Sequence, residues 1–317
     1  MKKAIVLGAT GGTGAAITEE LIKRGISVIA FGRSRGKLEQ LAARLGQPAH
    51  LTLSIGDAYK ADDIAAAVTD AEVLFHCANV PYHEMAERLL PLGEAVMEAA
   101  DRLGLKVVVV DGIYPYGRRQ TDLVTEEHPK QPHTRKGRVR LRFGEMVLDH
   151  GRWPRARSLI VRLPDYYGPS ANEASYLGST LQAIAEGKPA FFIGTMQVPR
   201  EYVYLPDAAS MIVEIALRDA SYGQEWNIPG GGVIAGNEIV RIARAASGKR
   251  KPVFALGAIS LSILGLFIPV MKEVVEMLYL TKEPLKLSTH KYTQEIGPIA
   301  ATPFEEGIAS TIQQLKK

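Results

Sequence analysis

Residues 6–17 read VLGATGGTGAAI, and the fold turns on what this stretch does. Two lysines and an apolar run precede it, an arrangement that imitates a signal peptide. The run breaks at Gly8 into a glycine-rich turn, so it reads as a first strand instead. Gly8, Gly11 and Gly14 would then close that strand and open a helix. Glycine suits the place because the chain turns tightly and its backbone must approach a pyrophosphate. The free N–H groups of the helix N-terminus would meet the phosphate charge. Gly8, Thr10, Gly11, Gly12, Thr13 and Gly14 are therefore candidate cofactor residues.

Working outward, short β-branched runs alternate with segments carrying apolar residues at helical spacing. The pattern predicts strands at 3–7, 27–31, 50–54, 73–77, 106–110 and 158–162. The intervening helices fall at 15–24, 37–45, 61–68, 85–103 and 137–150. Such alternation implies an α/β fold, a doubly wound parallel sheet of the Rossmann kind with helices on both faces. Beyond Pro164 proline and glycine become frequent. The expected organisation is a nucleotide-binding domain over 1–164, with 202–228 returning to its sheet, and a smaller C-terminal substrate lobe in the remainder of 165–317.

The chain has 317 residues, 46% hydrophobic and 23% charged, ordinary material for one large domain or two joined ones. A formal charge of +4 suits anionic ligands but is too mild to indicate nucleic acid. The single cysteine, Cys77, excludes an internal disulfide and reads as a buried strand residue. His76, His83, His128, His133 and His150 lack paired metal-ligand spacing, so no metal is expected. Residues 253–271 are nineteen uncharged positions flanked by Lys249-Arg250-Lys251 and Lys272-Glu273, long enough for a membrane-span candidate. Pro269, Ser260, Ser262, two glycines and an amphipathic continuation favour a helix buried in the protein, and no membrane partner is expected.

After the second strand comes FGRSRGKL, where an acid would favour NAD and a basic residue the 2'-phosphate of NADP. Arg33, with Ser34 beside it, points to NADP, with NAD the alternative. The opposing reading is a solvated helix start.

The glycine triplet, together with SIGDA, HCAN, YPYG, RLPDYYGP and YVYLPDAASMIV, resembles the extended or atypical short-chain dehydrogenase/reductases, the NAD-dependent epimerase/dehydratase superfamily. The resemblance spans nearly the whole chain. It implies that Asp57 holds the adenine amine, that Ala78 and Asn79 lie along the cofactor, and that Pro164 approaches the nicotinamide. Asp165 falls where epimerases of sugar nucleotides often place a substrate-binding asparagine. Tyr166, Tyr167 and Asn172 lie in the stretch resembling the family's lid, and Tyr82 and His83 are further substrate candidates.

Chemistry in that family uses Tyr-x-x-x-Lys with an upstream Ser or Thr. Spacing from Glu145 puts the tyrosine position at Gly137 and the lysine position at Leu141, and spacing from Tyr116-Gly117 puts the serine position at Gly112. None of the twelve tyrosines is followed four residues later by lysine. Two replacements are candidates: Tyr114, just past the fifth strand, as proton donor, and Lys136 as the charge. The competing readings are packing for Tyr114 and a solvated loop for Lys136.

Two leading functions follow. One is an NAD(P)-dependent, epimerase/dehydratase-like cytoplasmic oxidoreductase acting on a small molecule through a non-standard proton donor. The other is a non-catalytic NADP-binding redox sensor. Nucleic-acid binding through KQPHTRKGRVRLRFGEM (130–146) ranks below both, because Phe143 alone offers aromatic stacking there. That stretch reads as an amphipathic helix with ordinary solvated charge, and assembly into an oligomer is left open.

Overall fold

The computed structural model describes residues 1–171 and 175–316. The chain divides into two compact units. One comprises 1–114, 138–162 and 209–226, and the other 115–137, 163–208 and 227–317.

The strands run β1 (Lys3–Leu7), β2 (Ser27–Gly32), β3 (Leu51–Ile55), β4 (Val73–His76), β5 (Lys106–Gly112), β6 (Arg157–Leu163), β7 (Asp165–Tyr167), β8 (Ala190–Ile193), β9 (Arg200–Tyr204), β10 (Glu225–Asn227), β11 (Val233–Ile234) and β12 (Val253–Leu256). The helices used below are α1 (Gly12–Lys23), α2 (Arg35–Arg44), α3 (Ala61–Ala67), α4 (Met85–Leu103), α5 (Arg135–Val147), α6 (Tyr176–Glu186), α7 (Leu205–Ala216), α8 (Gly236–Ser247) and α9 (Ala258–Leu264).

In the first unit seven strands form one sheet in the order β10-β6-β5-β4-β1-β2-β3. The pairs β1–β2, β2–β3, β1–β4 and β4–β5 are parallel. The reversal of order between β1 and β4 is the switch point at which ligands meet a doubly wound sheet, outside the carboxyl ends of the strands. Central strands such as VVVV in β5 are apolar on both sides because helices cover both faces. Helix α4 ends at Gly104, whose φ of 66° supplies the left-handed C-terminal cap. At Gly93, α4 lies so close to α5 that an added Cβ would sit 2.4 Å from the Phe143 ring and 2.7 Å from Met146.

The second unit holds a three-stranded sheet, β11-β9-β7, and a two-stranded one, β12-β8. Its core gathers Tyr167, Phe192, Tyr202, Ile239 and Ile308.

Two expectations need correction. Of the segment 202–228 only β10 joins the large sheet. β9 instead pairs with β7 and β11, because its partners Asp165–Tyr167 and Val233–Ile234 supply the open edges. Residues 253–271 do not form one buried helix. They make β12, the short α9 and the start of a further helix at Pro269–Val275, with Leu261 buried but Ile259, Leu266 and Phe267 about 80% exposed. Gly257, Gly265 and Pro269 divide the run. Among the described residues no helix is long and apolar enough to cross a membrane.

Candidate active site

The turn between β1 and α1 is shaped by what cannot be there. Gly8 has φ 73°, and a Cβ on it would lie 2.7 Å from the Ala78 backbone. A Cβ on Gly14 would lie 2.2 Å from the Gly8 carbonyl oxygen, so both positions must be glycine for strand and helix to approach. The Gly11 N–H donates to the Gly8 carbonyl (2.9 Å), closing the turn. Gly11 is also the N-cap of α1, and no side chain caps the helix start. Uncapped amides on a helix with a glycine approach are the arrangement that receives a phosphate, so the loop fits a dinucleotide. Thr10, Gly12 and Thr13 stand in this same turn.

Arg33 is exposed after β2, and Ser34 caps α2 by accepting from the Lys37 N–H (3.4 Å). Asp57, after β3, accepts from the Tyr59 N–H (3.1 Å), while its own N–H donates to Asp63 (2.9 Å). Two neighbours escaped the sequence reading. The Arg88 guanidinium lies 4.6 Å over the Tyr59 ring, and burial raises the Tyr59 phenol pKa while the charges of Arg88 and Arg33 pull it down. Arg33, Tyr59 and Arg88 thus gather from β2, β3 and α4, a grouping hidden by their separation along the chain.

Ala78 and Asn79 follow β4. The Asn79 side-chain oxygen accepts from the Val80 N–H (2.9 Å). Just before them, Cys77 has its thiol pushed up to about 12 by burial, with Thr13 opposing, so it stays protonated.

Past β5 the Tyr82 hydroxyl donates to the Tyr114 hydroxyl at 2.8 Å, with the rings edge to face at 6.4 Å. The guanidinium of Arg140, from α5, sits 5.5 Å over the Tyr114 ring. Arg140 is 7% exposed, bonds Asp111 and reaches Asn79 (3.5 Å), and its Nε–H is left without a partner. Asp111 is shared with Arg162, which is fully buried and also binds Glu225 through Nε (3.1 Å) and Nη2 (2.9 Å). Gly144 leaves room for this group, since a Cβ there would lie 2.7 Å from Arg162. Two arginines and two carboxylates balance, which is what lets four charges be buried together. The sequence did carry a signal: an acid ending VVVVD and an arginine inside LIVRL are apolar-strand charges that require buried partners.

For Lys136 and Arg140 this overturns the view of 130–146 as ordinary solvated charge, while Arg135, Arg138 and Arg142 are exposed as that view expects. Lys136 is 3% exposed and held by Glu273 (2.5 Å) and Glu276 (3.5 Å), so its charge is already matched and it is no solvated loop residue. Gly137 is buried and Leu141 partly so, both on α5.

In the second unit Pro164 is buried between β6 and β7. Asp165 pairs with Arg200 at 3.4 Å, and the Tyr166 carbonyl accepts from the Ser175 hydroxyl (2.9 Å). Tyr167 departs from its expected substrate role: it is 1% exposed and packed on Tyr204 and Phe304 with ring centroids 5.3 and 6.1 Å away. Asn172 lies outside the described residues. His83 is exposed beside Glu84 (3.6 Å). Among the described residues no group of three or more His, Cys, Asp or Glu side chains is placed to hold a metal ion.

A sequence profile of the NAD dependent epimerase/dehydratase family matches residues 4–228. The chain belongs to this family. No curated protein matches the sequence. Among solved structures that share the family's fold, the UDP-glucuronic acid 4-epimerase from Bacillus cereus, in complex with NAD, is 17% identical, with 99% of this chain and 100% of that chain covered and a TM-score of 0.78. The dTDP-glucose 4,6-dehydratase from Bacillus anthracis, in complex with NAD, is 16% identical, covering 99% and 96%, at a TM-score of 0.80. The UDP-glucose 4-epimerase from Thermotoga maritima, with UDP-glucose, is 16% identical, covering 99% and 98%, at 0.78. At these identities the neighbours establish the fold, and the family's Tyr-x-x-x-Lys is absent from this sequence.

Proposed function

We propose that this chain is a cytoplasmic, NADP-dependent oxidoreductase of the epimerase/dehydratase type that acts on a small-molecule alcohol or ketone, with sugar nucleotides as the substrate class. Tyr114 is its proton donor and acceptor. The observation that carries this reading is the Tyr82–Tyr114 hydroxyl pair under the Arg140 guanidinium, at the carboxyl edge of a sheet whose phosphate loop is intact.

When bound, the dinucleotide supplies hydride transfer at its nicotinamide ring. The protein's own part is the proton. As the substrate hydroxyl becomes a carbonyl its proton passes to the Tyr114 oxygen, and it returns in the reverse direction. A phenolate at Tyr114 is stabilised by the hydrogen bond donated from Tyr82 and by the positive charge of Arg140. Arg140 thereby takes over the part played in the family by the lysine missing at Leu141. Asp111 fixes the guanidinium. Arg33, with Arg88 nearby, favours a 2'-phosphate and hence NADP over NAD. Asp57, Ala78, Asn79 and Pro164 are assigned to the cofactor, and Asp165 and Tyr166 to the substrate. A non-catalytic sensor is the weaker reading, because a phenol and a fixed cation stand together at Tyr114 and Arg140.

The test is turnover of a panel of sugar nucleotides, ketones and aldehydes with NADPH or NADP. Tyr114→Phe should lower turnover by about 10²–10⁴-fold while leaving NADPH affinity unchanged. A Tyr114→Phe enzyme that keeps full turnover refutes the assignment. In fluorescence titrations Arg33→Ala should weaken NADPH and leave NADH untouched, and equal affinities would remove the NADP preference.

A further inference from the structure

Large apolar side chains with high exposure are not scattered evenly over this protein. Among the described residues thirteen stand out, and seven of them are Phe191, Phe254, Ile259, Ile263, Leu266, Phe267 and Ile268. All seven belong to the second unit. They form a connected feature. Parallel strands β8 and β12 place Phe191 opposite Phe254, with ring centroids 6.1 Å apart on the outer face, while Ala190 and Phe192 point into the core. One residue beyond β12, α9 buries Leu261 and turns Ile259 and Ile263 outward, one helical turn apart. Leu266 and Phe267 follow at 79% and 81% exposure.

The charge that leads into this feature along the chain is basic. Residues 249–271 contain Lys249, Arg250 and Lys251 and no acid. The three basic residues are exposed and lead directly into β12, which is four residues and so about 13 Å long. Lys188, 70% exposed at its side chain and paired with Glu186, leads into β8 at the same end.

We propose that this face rests on an anionic lipid surface. The apolar side chains of α9 and the following turn enter the acyl boundary, and Lys249, Arg250 and Lys251 meet the headgroups. Charge favours lipid over a second copy of this chain: two copies meeting through this face would bring two acid-free basic stretches into one interface, and like charge there costs rather than gains. This is contact with a surface, not a span, and α9 has only seven residues. It runs against the sequence-level expectation of no membrane partner, because that expectation placed 253–271 inside the protein.

Flotation of the full chain with phosphatidylcholine vesicles, with and without phosphatidylserine, tests the proposal. The protein should float with the anionic vesicles, more weakly as salt rises, and remain behind with the neutral ones. Leu266→Asp with Phe267→Asp should reduce partition by at least about ten-fold. Replacing Lys249, Arg250 and Lys251 by Gln should cost about five-fold for each charge removed. Unchanged NADPH binding and melting would show that the variants are folded. Failure to float, or flotation indifferent to the aspartates, overturns the proposal. So does a dimer in light scattering that Phe267→Asp converts to monomer without any vesicle binding. None of these readouts depends on turnover, so the proposed activity and the proposed surface stand or fall separately.

Discussion

Asp111 shows how one residue can hold a site together. Its carboxylate lies between Arg140 and Arg162, and Arg162 also pairs with a second acid, Glu225. Removing one partner of a buried ionic group leaves the other charges uncompensated, which costs more than the intact group contributes. Asp111→Asn should therefore destabilise the first unit by about 3–5 kcal/mol in denaturant unfolding. Arg140→Lys, which keeps the charge but loses the fork, should cost less stability and still impair turnover. Equal losses for the two variants would argue for a purely structural role. Tyr114 could be singled out as a candidate from its place after the fifth strand. Arg140 could not, because in KGRVRLRFGE basic side chains recur at every second position from Lys136 to Arg142 and only packing selects which of them turn inward.

At the scale of elements the packing of α5 on α4 sets the position of Arg140, and Gly93 sets that packing. Two effects compete in Gly93→Ala. Helix propensity favours alanine by about 1 kcal/mol. Against it, the new Cβ would meet the Phe143 ring at 2.4 Å, and overpacking of a rigid ring costs about 1–3 kcal/mol. The expected net is a lower melting temperature together with weaker turnover, since α5 must move and carries Arg140 with it. Gain in stability would show that Phe143 and Met146 repack freely. Most elements of the first unit were readable because glycine turns, β-branched runs and helical periodicity are local signals. β9 was misassigned and the 253–271 run misread because strand partnership and burial are decided by residues far away along the chain.

At the scale of the whole molecule, one buried group in each unit contributes a pH dependence of opposite sense. His76, at the end of β4, is pushed down to about 4 by burial, against a smaller upward pull from Asp111. It is neutral when folded and titrates near 6.5 when unfolded. Its contribution is therefore complete above pH 6.5 and is lost as pH falls toward 4, a difference on the order of 3 kcal/mol. Glu201 is pushed up to about 7 by burial, although the Leu287 and Gly230 N–H groups at 2.7 and 3.0 Å oppose the shift. Its unfolded value is 4.5, so its contribution is complete below pH 4.5 and is lost as pH rises through 7. Calorimetry between pH 4 and 8 should show the first unit weakening on acidification and the second on alkalinisation. His76→Phe and Glu201→Gln should each flatten one limb, and a single shared optimum unaffected by either would contradict the assignment.

The amino-acid sequence by itself determined the doubly wound sheet, the phosphate loop and the loss of Tyr-x-x-x-Lys. Each of these depends on residue types at fixed local spacing: glycine where a Cβ cannot fit, continuous apolar runs where helices cover both faces of strands, and a tyrosine either present or absent at its position. Only the tertiary structure decided which charges are buried and which apolar residues are exposed. It turned Arg140 and Lys136 inward, buried Tyr167, gathered Arg33, Tyr59 and Arg88, and left Leu266 and Phe267 outside. Burial is a property of what packs against a side chain, and those neighbours come from distant parts of the chain.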